Sequence, residues 1–315
     1  MKRLIVLGAV FAVGALSMTV AALQQPAAGG AQAQAPRVVE VEKVRDNLYL
    51  MRGGGGNSGV FIGSTGVVVV DTKNPGWGQP LLEKIKSVTD KPVTMIINTH
   101  THGDHVSGNV EFPATVDVVT HENTKKNMEV MRPATGLGPP PGAPAPVNIF
   151  KTNNGRGMPK RTFKDKMTLG RGADQIDLYY FGRGHTDGDA WVVFTALRVM
   201  HAGDIFSGKN IPLLDANNGG SGAEIGNTLA KAADGVKNID SIITGHSTVM
   251  TPADMREYSD FNKEFAAFVQ KAKKEGQTVD QIASSWKNPA KYKGYAEPQA
   301  ARLKANVQVV FDETR

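Results

Sequence analysis

The feature that most constrains this chain is the hexapeptide His100-Thr101-His102-Gly103-Asp104-His105, four metal-competent side chains in six residues, directly after the apolar run Val93 to Ile97 and Asn98-Thr99. A run of that length and type reads as a buried strand. A loop at the end of a buried strand is where a rigid sheet can aim polar side chains into one cleft. The chain has seven histidines, and beyond the hexapeptide His185 and His246 each follow a glycine just after another predicted strand. Cysteine is absent. That excludes a disulfide framework and thiolate zinc cages, so the fold must rest on a packed core and any metal must be held by nitrogen and oxygen.

Strand patterns at Val38 to Val44, Leu48 to Arg52, Val60 to Ile62 and Val67 to Val70 predict a meander. The run Gly53 to Gly56 gives the backbone freedom for a hairpin turn, with a mobile flap as the competing reading. Trp77, Leu81, Leu82, Ile85 and Val88 have helical spacing, so a helix is expected over Trp77 to Val88, followed by strands Val93 to Ile97 and Val116 to Val119. The second half predicts strands at Lys166 to Leu169, Gln175 to Phe181, Ala190 to Phe194, Arg198 to His201 and Ser241 to Thr244. Helices are expected at Gly222 to Lys237, Pro252 to Lys274, Val279 to Lys287 and Pro298 to Val310. Such alternation implies sheets covered by helices. Pro133 to Pro146, dense in proline and small residues, reads with the following residues to Gly157 as an inserted loop without a packed helix, because candidate ligands lie on both sides of it.

Lys2 and Arg3 precede an apolar run from Leu4 to Val20, the form of a secretory signal, with small-residue cleavage sites between about 22 and 36. Residues 1–36 are therefore read as signal and linker, and 37–315 as one domain carrying the loop at about 133–157. The expected location is periplasmic or secreted, with no stable membrane insertion once the signal is removed. An uncleaved anchor is the competing reading. Formal charge is +6 for the whole chain, and loss of Lys2 and Arg3 leaves +4 with no dense basic run. Nothing in that pattern points to nucleic acid, and a small-molecule substrate is the expected partner. Oligomeric state is not legible.

The hexapeptide, followed by separate His185, Asp204 and His246, resembles the metallo-β-lactamase superfamily, whose signature is His-x-His-x-Asp-His with later His, Asp and His positions. The resemblance covers nearly all of residues 37–315 and implies an α/β fold, the metallo-β-lactamase-like αβ/βα four-layer sandwich. It also implies two Zn2+ ions per chain: one on His100, His102 and His185, the other on Asp104, His105 and His246, with Asp204 between them. Iron or manganese suits the same donors. Two ions about 3.5 to 4 Å apart can activate a shared water at neutral pH, and the resulting hydroxide attacks a carbonyl or phosphoryl centre. Asp104 has a second expected role as the catalytic proton carrier. Asp71 resembles a family position that supports the metal-binding loop, with a plain turn residue as the alternative.

The implied activity is hydrolysis of a small-molecule ester, thioester, lactone or amide. Dedicated β-lactamases of this fold generally carry Cys or Ser where this chain has Asp204, whereas an exported location suits β-lactam hydrolysis, so that activity stays open. The alternative is an oxidoreductase like the mononuclear-iron persulfide dioxygenases, which share the motif. A purely structural metal site conflicts with a seven-residue donor set, because structural zinc sites are closed four-ligand cages. His201 is expected to be structural and His121 to lie at the surface. Lys209 and the loop Asn217 to Gly220 are weaker candidates for contacting substrate.

Overall fold

The protein is described here by a computed structural model covering residues 37–137 and 147–315. The signal-sequence expectation and the centre of the proline-dense loop fall outside these residues.

Strands β1 (Glu40–Arg45), β2 (Leu48–Arg52), β3 (Ser58–Ile62) and β4 (Val67–Val70) form the antiparallel meander. Residues 53–57 are the β2–β3 hairpin connection. From β4 the sheet continues in parallel through β5 (Val93–Asn98), β6 (Asp117–His121) and β7 (Arg161–Phe163), giving seven strands in sequence order. Parallel pairing demands crossovers. These are α1 (Gly78–Lys86), the single turn α2 (Gly103–Val106), and the pair α3 (Glu122–Val130) and α4 (Ile149–Thr152). The second sheet has order β12-β11-β10-β9-β8, from β8 (Lys166–Leu169), β9 (Ile176–Tyr179), β10 (Trp191–Phe194), β11 (Val199–Gly203) and β12 (Ser241–Thr244). Helix α5 (Ile225–Gly235) connects the parallel pair β11 and β12.

Burial on both faces explains the unbroken apolar strands. In β4, Val68 and Val70 face the second sheet while Val67 and Val69 pack outward with Leu81 and Ile85 of α1. Ile96 and Ile97 divide in the same way, as do Val192 and Val193 of β10. Between the sheets the rings of Phe61 and Phe194 lie 5.3 Å apart. Over the outer face of the second sheet lie α5, α6 (Pro252–Lys274), α7 (Val279–Ser285) and α8 (Ala300–Glu313). Helix α6 begins where its sequence says it should. Thr251 and Asp254 form a reciprocal cap and Pro252 occupies the first turn. The result is the expected helix–sheet–sheet–helix sandwich.

Two local expectations need correction. The stretch 133–157 does hold a packed helical turn: Asn148 caps α4, and Phe150 is buried with Val106, Val110 and Met128. Strand β7 was not anticipated, because three residues, Arg-Thr-Phe, are too short to display a period.

Candidate metal centre

The site lies beyond the C-terminal ends of β4, β5, β11 and β12. Asp71, directly after β4, receives the Thr99 N–H at 2.8 Å and the Thr99 hydroxyl at 2.7 Å. His102 is the N-cap of α2, which sets Asp104 in the first turn and His105 just behind it. Across the cleft, His185 comes from the β9–β10 loop, while Asp204 and His246 follow β11 and β12. The turn into Asp204 requires glycine: Gly203 has φ +56, and a Cβ there would lie 2.6 Å from Thr99 Oγ1. Gly56 of the hairpin is similarly constrained, since its Cβ would lie 2.1 Å from the His105 ring.

All seven predicted residues converge. Asp204 lies at the centre, with Oδ1 3.2 Å from His105 Nε2 and Oδ2 3.2 Å from His246 Nε2, 3.7 Å from His185 Nε2 and 4.0 Å from His100 Nε2. Asp104 Oδ2 lies 3.2 Å from His246 Nε2 and 3.5 Å from His105 Nε2. Two groups have donor atoms within 4.8 Å of one another: His100, His102, His185 and Asp204, and Asp104, His105 and His246. Asp71 also meets that distance from His100 and His105. Its oxygens, however, are already committed to Thr99 and to the outer nitrogen of His105, so it supports the centre from behind.

The proton positions decide what this cluster can hold. A neutral imidazole has a single N–H. His185 gives its proton from Nδ1 to the Leu213 carbonyl at 2.6 Å, and His102 gives its own from Nε2 to Asp215 Oδ2 at 2.7 Å. The remaining nitrogens, His185 Nε2 and His102 Nδ1, then face each other as bare lone pairs 3.0 Å apart. His105 donates from Nδ1 to Asp71 at 2.7 Å, which turns Nε2 toward the cleft. Thr99 spends its hydroxyl proton on Asp71, so it accepts from His100 Nδ1 at 2.9 Å. His100 Nε2 is consequently buried without a hydrogen-bond partner. In the three-histidine half, the converging lone pairs of His100, His102 and His185 have no donor among them, which is unfavourable alone and fits a bound cation.

Charge divides the cluster in the same way. Burial, reinforced by His105 and His185, holds His100 well below an ordinary imidazole pKa. Burial, with His102 beside it, lowers His185 to about 4. On the other side Asp204, working against burial, raises His246 to about 9. Burial pushes His105 down, but Asp204, Asp104 and Asp71 outweigh it and its pKa rises. Asp104 is desolvated, yet His105 and His246 hold it below the usual carboxylate range. His246 and Asp104, with side chains 41% and 29% exposed, form the open side of the centre.

Residues 51–262 match the profile described as the metallo-beta-lactamase superfamily. The chain belongs to that superfamily. A curated superfamily relative, the metallo-beta-lactamase type 2 of Elizabethkingia meningoseptica, is 29% identical over 182 residues, 53% of this chain. The alignment spans 62% of that relative's length. Among solved structures, a metallo-beta-lactamase from Pontibacter korlensis superposes with TM-score 0.57 at 19% identity, over 72% of this chain and 99% of the other. The stereoselective inverting sec-alkylsulfatase Pisa1 from Pseudomonas sp. superposes with TM-score 0.64 at 15% identity, over 88% of this chain and 50% of its own. At these identities the superpositions establish the shared superfamily fold. The chain's His/Asp clusters could hold metal.

Several residues around the centre escaped the sequence reading. Asp215 accepts from His102 and Asn218 and also receives the Thr135 N–H at 2.9 Å, which brings the described start of the proline-dense loop to the edge of the site. Burial opposes its ionisation, but the His102 hydrogen bond prevails and Asp215 is lowered to about 2. Lys73, fully buried, reaches Met51 O and Gly56 O at 2.6 Å each and pins both ends of the glycine hairpin. Asn57 ties that hairpin to the other half of the site, donating its N–H to Gly245 O at 2.7 Å and its amide to Thr244 O and Ser247 O at 2.8 Å. The hairpin is a fixed cradle.

His201 is structural as expected, buried with Nε2 donating to Asn57 O at 3.2 Å. His121 is not at the surface. It caps α3, donates to Lys164 O at 2.9 Å and stacks on Tyr180 with ring centres 4.1 Å apart, a place fixed by Tyr180, far away in sequence. Lys209 does not wait for substrate: its ammonium pairs with Asp254 at 3.0 Å and Glu257 at 3.1 Å. In the loop Asn217 to Gly220, Asn218 supports Asp215, and Asn217 binds Pro133 O at 3.0 Å.

Proposed function

We propose that the protein is an exported binuclear zinc hydrolase acting on a small molecule with an ester, thioester, lactone or amide bond. The observation that carries this reading is the pair of bare imidazole nitrogens, His102 Nδ1 and His185 Nε2, facing each other at 3.0 Å with both ring protons spent outward. His100, His102 and His185 would hold one ion, Asp104, His105 and His246 the other, and Asp204 would lie between them. Bound zinc supplies a water that ionises near neutral pH and an electrophile that polarises the bond under attack.

The residues do the rest. Outward hydrogen bonds to Asp71, Thr99, Asp215 and Leu213 fix the direction of four imidazoles. Asp104, at the open side, takes the proton released by the attacking water on Oδ2 and returns it to the leaving group. The N-terminal apolar run supports export, and the absence of a basic run supports a small substrate. The curated relative named a metallo-beta-lactamase supports placing a β-lactam on the test panel.

The test is turnover of a β-lactam, a lactone, a thioester and a phosphodiester by the purified chain, with and without chelator. Chelator-sensitive hydrolysis of a carbonyl substrate is expected. A single bound iron with no hydrolysis would overturn the reading and move it to sulfur oxidation.

A further inference from the structure

Helix α8 lies beyond the residues that match the superfamily, which end at 262. Its apolar face, with Leu303, Val307 and Val310, packs in the same core as Leu214. On that face Asn306 is fully buried, and both ends of its amide are used. Asn306 Nδ2 donates to Pro212 O at 2.6 Å, and Asn306 Oδ1 accepts the Leu214 N–H at 3.1 Å. A carbonyl and an N–H two residues apart point the same way when the backbone between them is extended. The side-chain amide thus bonds this segment as a neighbouring strand would, and the intervening carbonyl, Leu213 O, accepts the His185 ring proton at 2.6 Å. Two residues on, Asp215 holds His102 at 2.7 Å.

We infer that Asn306 is a positioning residue for the three-histidine half of the centre: it fixes the 212–215 segment, whose backbone and carboxylate set the ring protons and directions of His185 and His102. This rests on reading the site as a metal centre. Nothing comparable connects α8 to Asp104, His105 or His246 in the hydrogen bonds of the described residues. Disturbing Asn306 should therefore weaken one ion and spare the other. Losing a partner that orients a ligand from behind weakens metal binding by about 10- to 100-fold.

The experiment uses the full chain as wild type, Asn306→Leu, Asn306→Asp and Ser259→Ala. The last removes another buried hydrogen bond of the helical layer, Ser259 Oγ to Gly226 O at 2.7 Å, far in sequence from the 212–215 segment. Zinc affinities are read by chelator competition, and the His185 ring N–H by nitrogen-15 NMR of histidine-labelled protein. At least about tenfold weaker binding of one ion is expected in both Asn306 variants, together with exchange broadening of the His185 ring proton. The second affinity should stay within about twofold, and Ser259→Ala should keep both affinities while losing thermal stability. Asn306→Asp keeps the volume and one hydrogen bond, and decides the matter where Asn306→Leu does not fold. Unchanged affinities, or equal weakening of both ions, would overturn the assignment. A wild-type chain that binds no metal would overturn the metal-centre reading beneath it.

Discussion

Asp71 Oδ2 lies 2.7 Å from His105 Nδ1, so the carboxylate that closes β4 decides which nitrogen of His105 faces the cleft. The same oxygen takes the Thr99 hydroxyl proton, which leaves Thr99 as an acceptor for His100 Nδ1. One carboxylate thereby orients one histidine from each half of the site. Asp71→Ala should weaken metal binding by about 10- to 100-fold at both ions, because two imidazoles lose their reference. Chelator competition measures this, and an unchanged affinity would show that His100 and His105 are held by packing alone.

Lys73 gives a pH prediction. Burial, partly offset by Asp71 and Asp104, lowers its ammonium pKa to about 7. The unfolded chain keeps a lysine near about 10.4, so between these values the unfolded state binds more protons and folding stability rises with pH. The neutral amine still has two N–H donors, enough for Met51 O and Gly56 O. In Lys73→Met this term disappears. The stability difference between wild type and variant should therefore shift in favour of wild type from pH 7 to pH 9.5. Denaturant unfolding of the metal-free proteins at both pH values reads the shift, and a constant difference would contradict it.

His121 is predicted to matter for folding and not for metal. His121→Ala removes the cap of α3, the bond to Lys164 O and the stack on Tyr180. The cost should be about 2 kcal/mol, about 1 from the cap and a similar amount from the lost hydrogen bond. Equilibrium unfolding gives this number, and metal content should equal that of wild type.

Much of the fold is written locally in the chain. Val67–Val70, Leu48–Arg52, Lys166–Leu169, Ser241–Thr244 and Pro252–Lys274 take the ranges that their patterns predict, because each carries its own periodicity, cap or run of branched residues. The seven site residues were also legible: the hexapeptide, His185 and His246 from their place after predicted strands, and Asp204 from the family resemblance. Of what supports them, Asp71 was legible through the family resemblance and the rest was not. Asp215 in Asp-Ala-Asn-Asn-Gly-Gly reads as an ordinary turn, Lys73 as an exposed loop cation, and Asn306 as a polar interruption of an amphipathic helix. Their roles come from partners 113, 22 and 94 residues away. His121 was misplaced for the same reason, since polar side chains look alike in sequence whether water or the protein satisfies them.

The proposed binuclear centre is read most directly from the metal content of the purified chain before and after His185→Ala and His246→Ala. Elemental analysis should find about two zinc ions in wild type and about one in each variant, with a different half of the centre emptied each time. No stable metal in the wild type, or a content indifferent to both substitutions, would contradict the account.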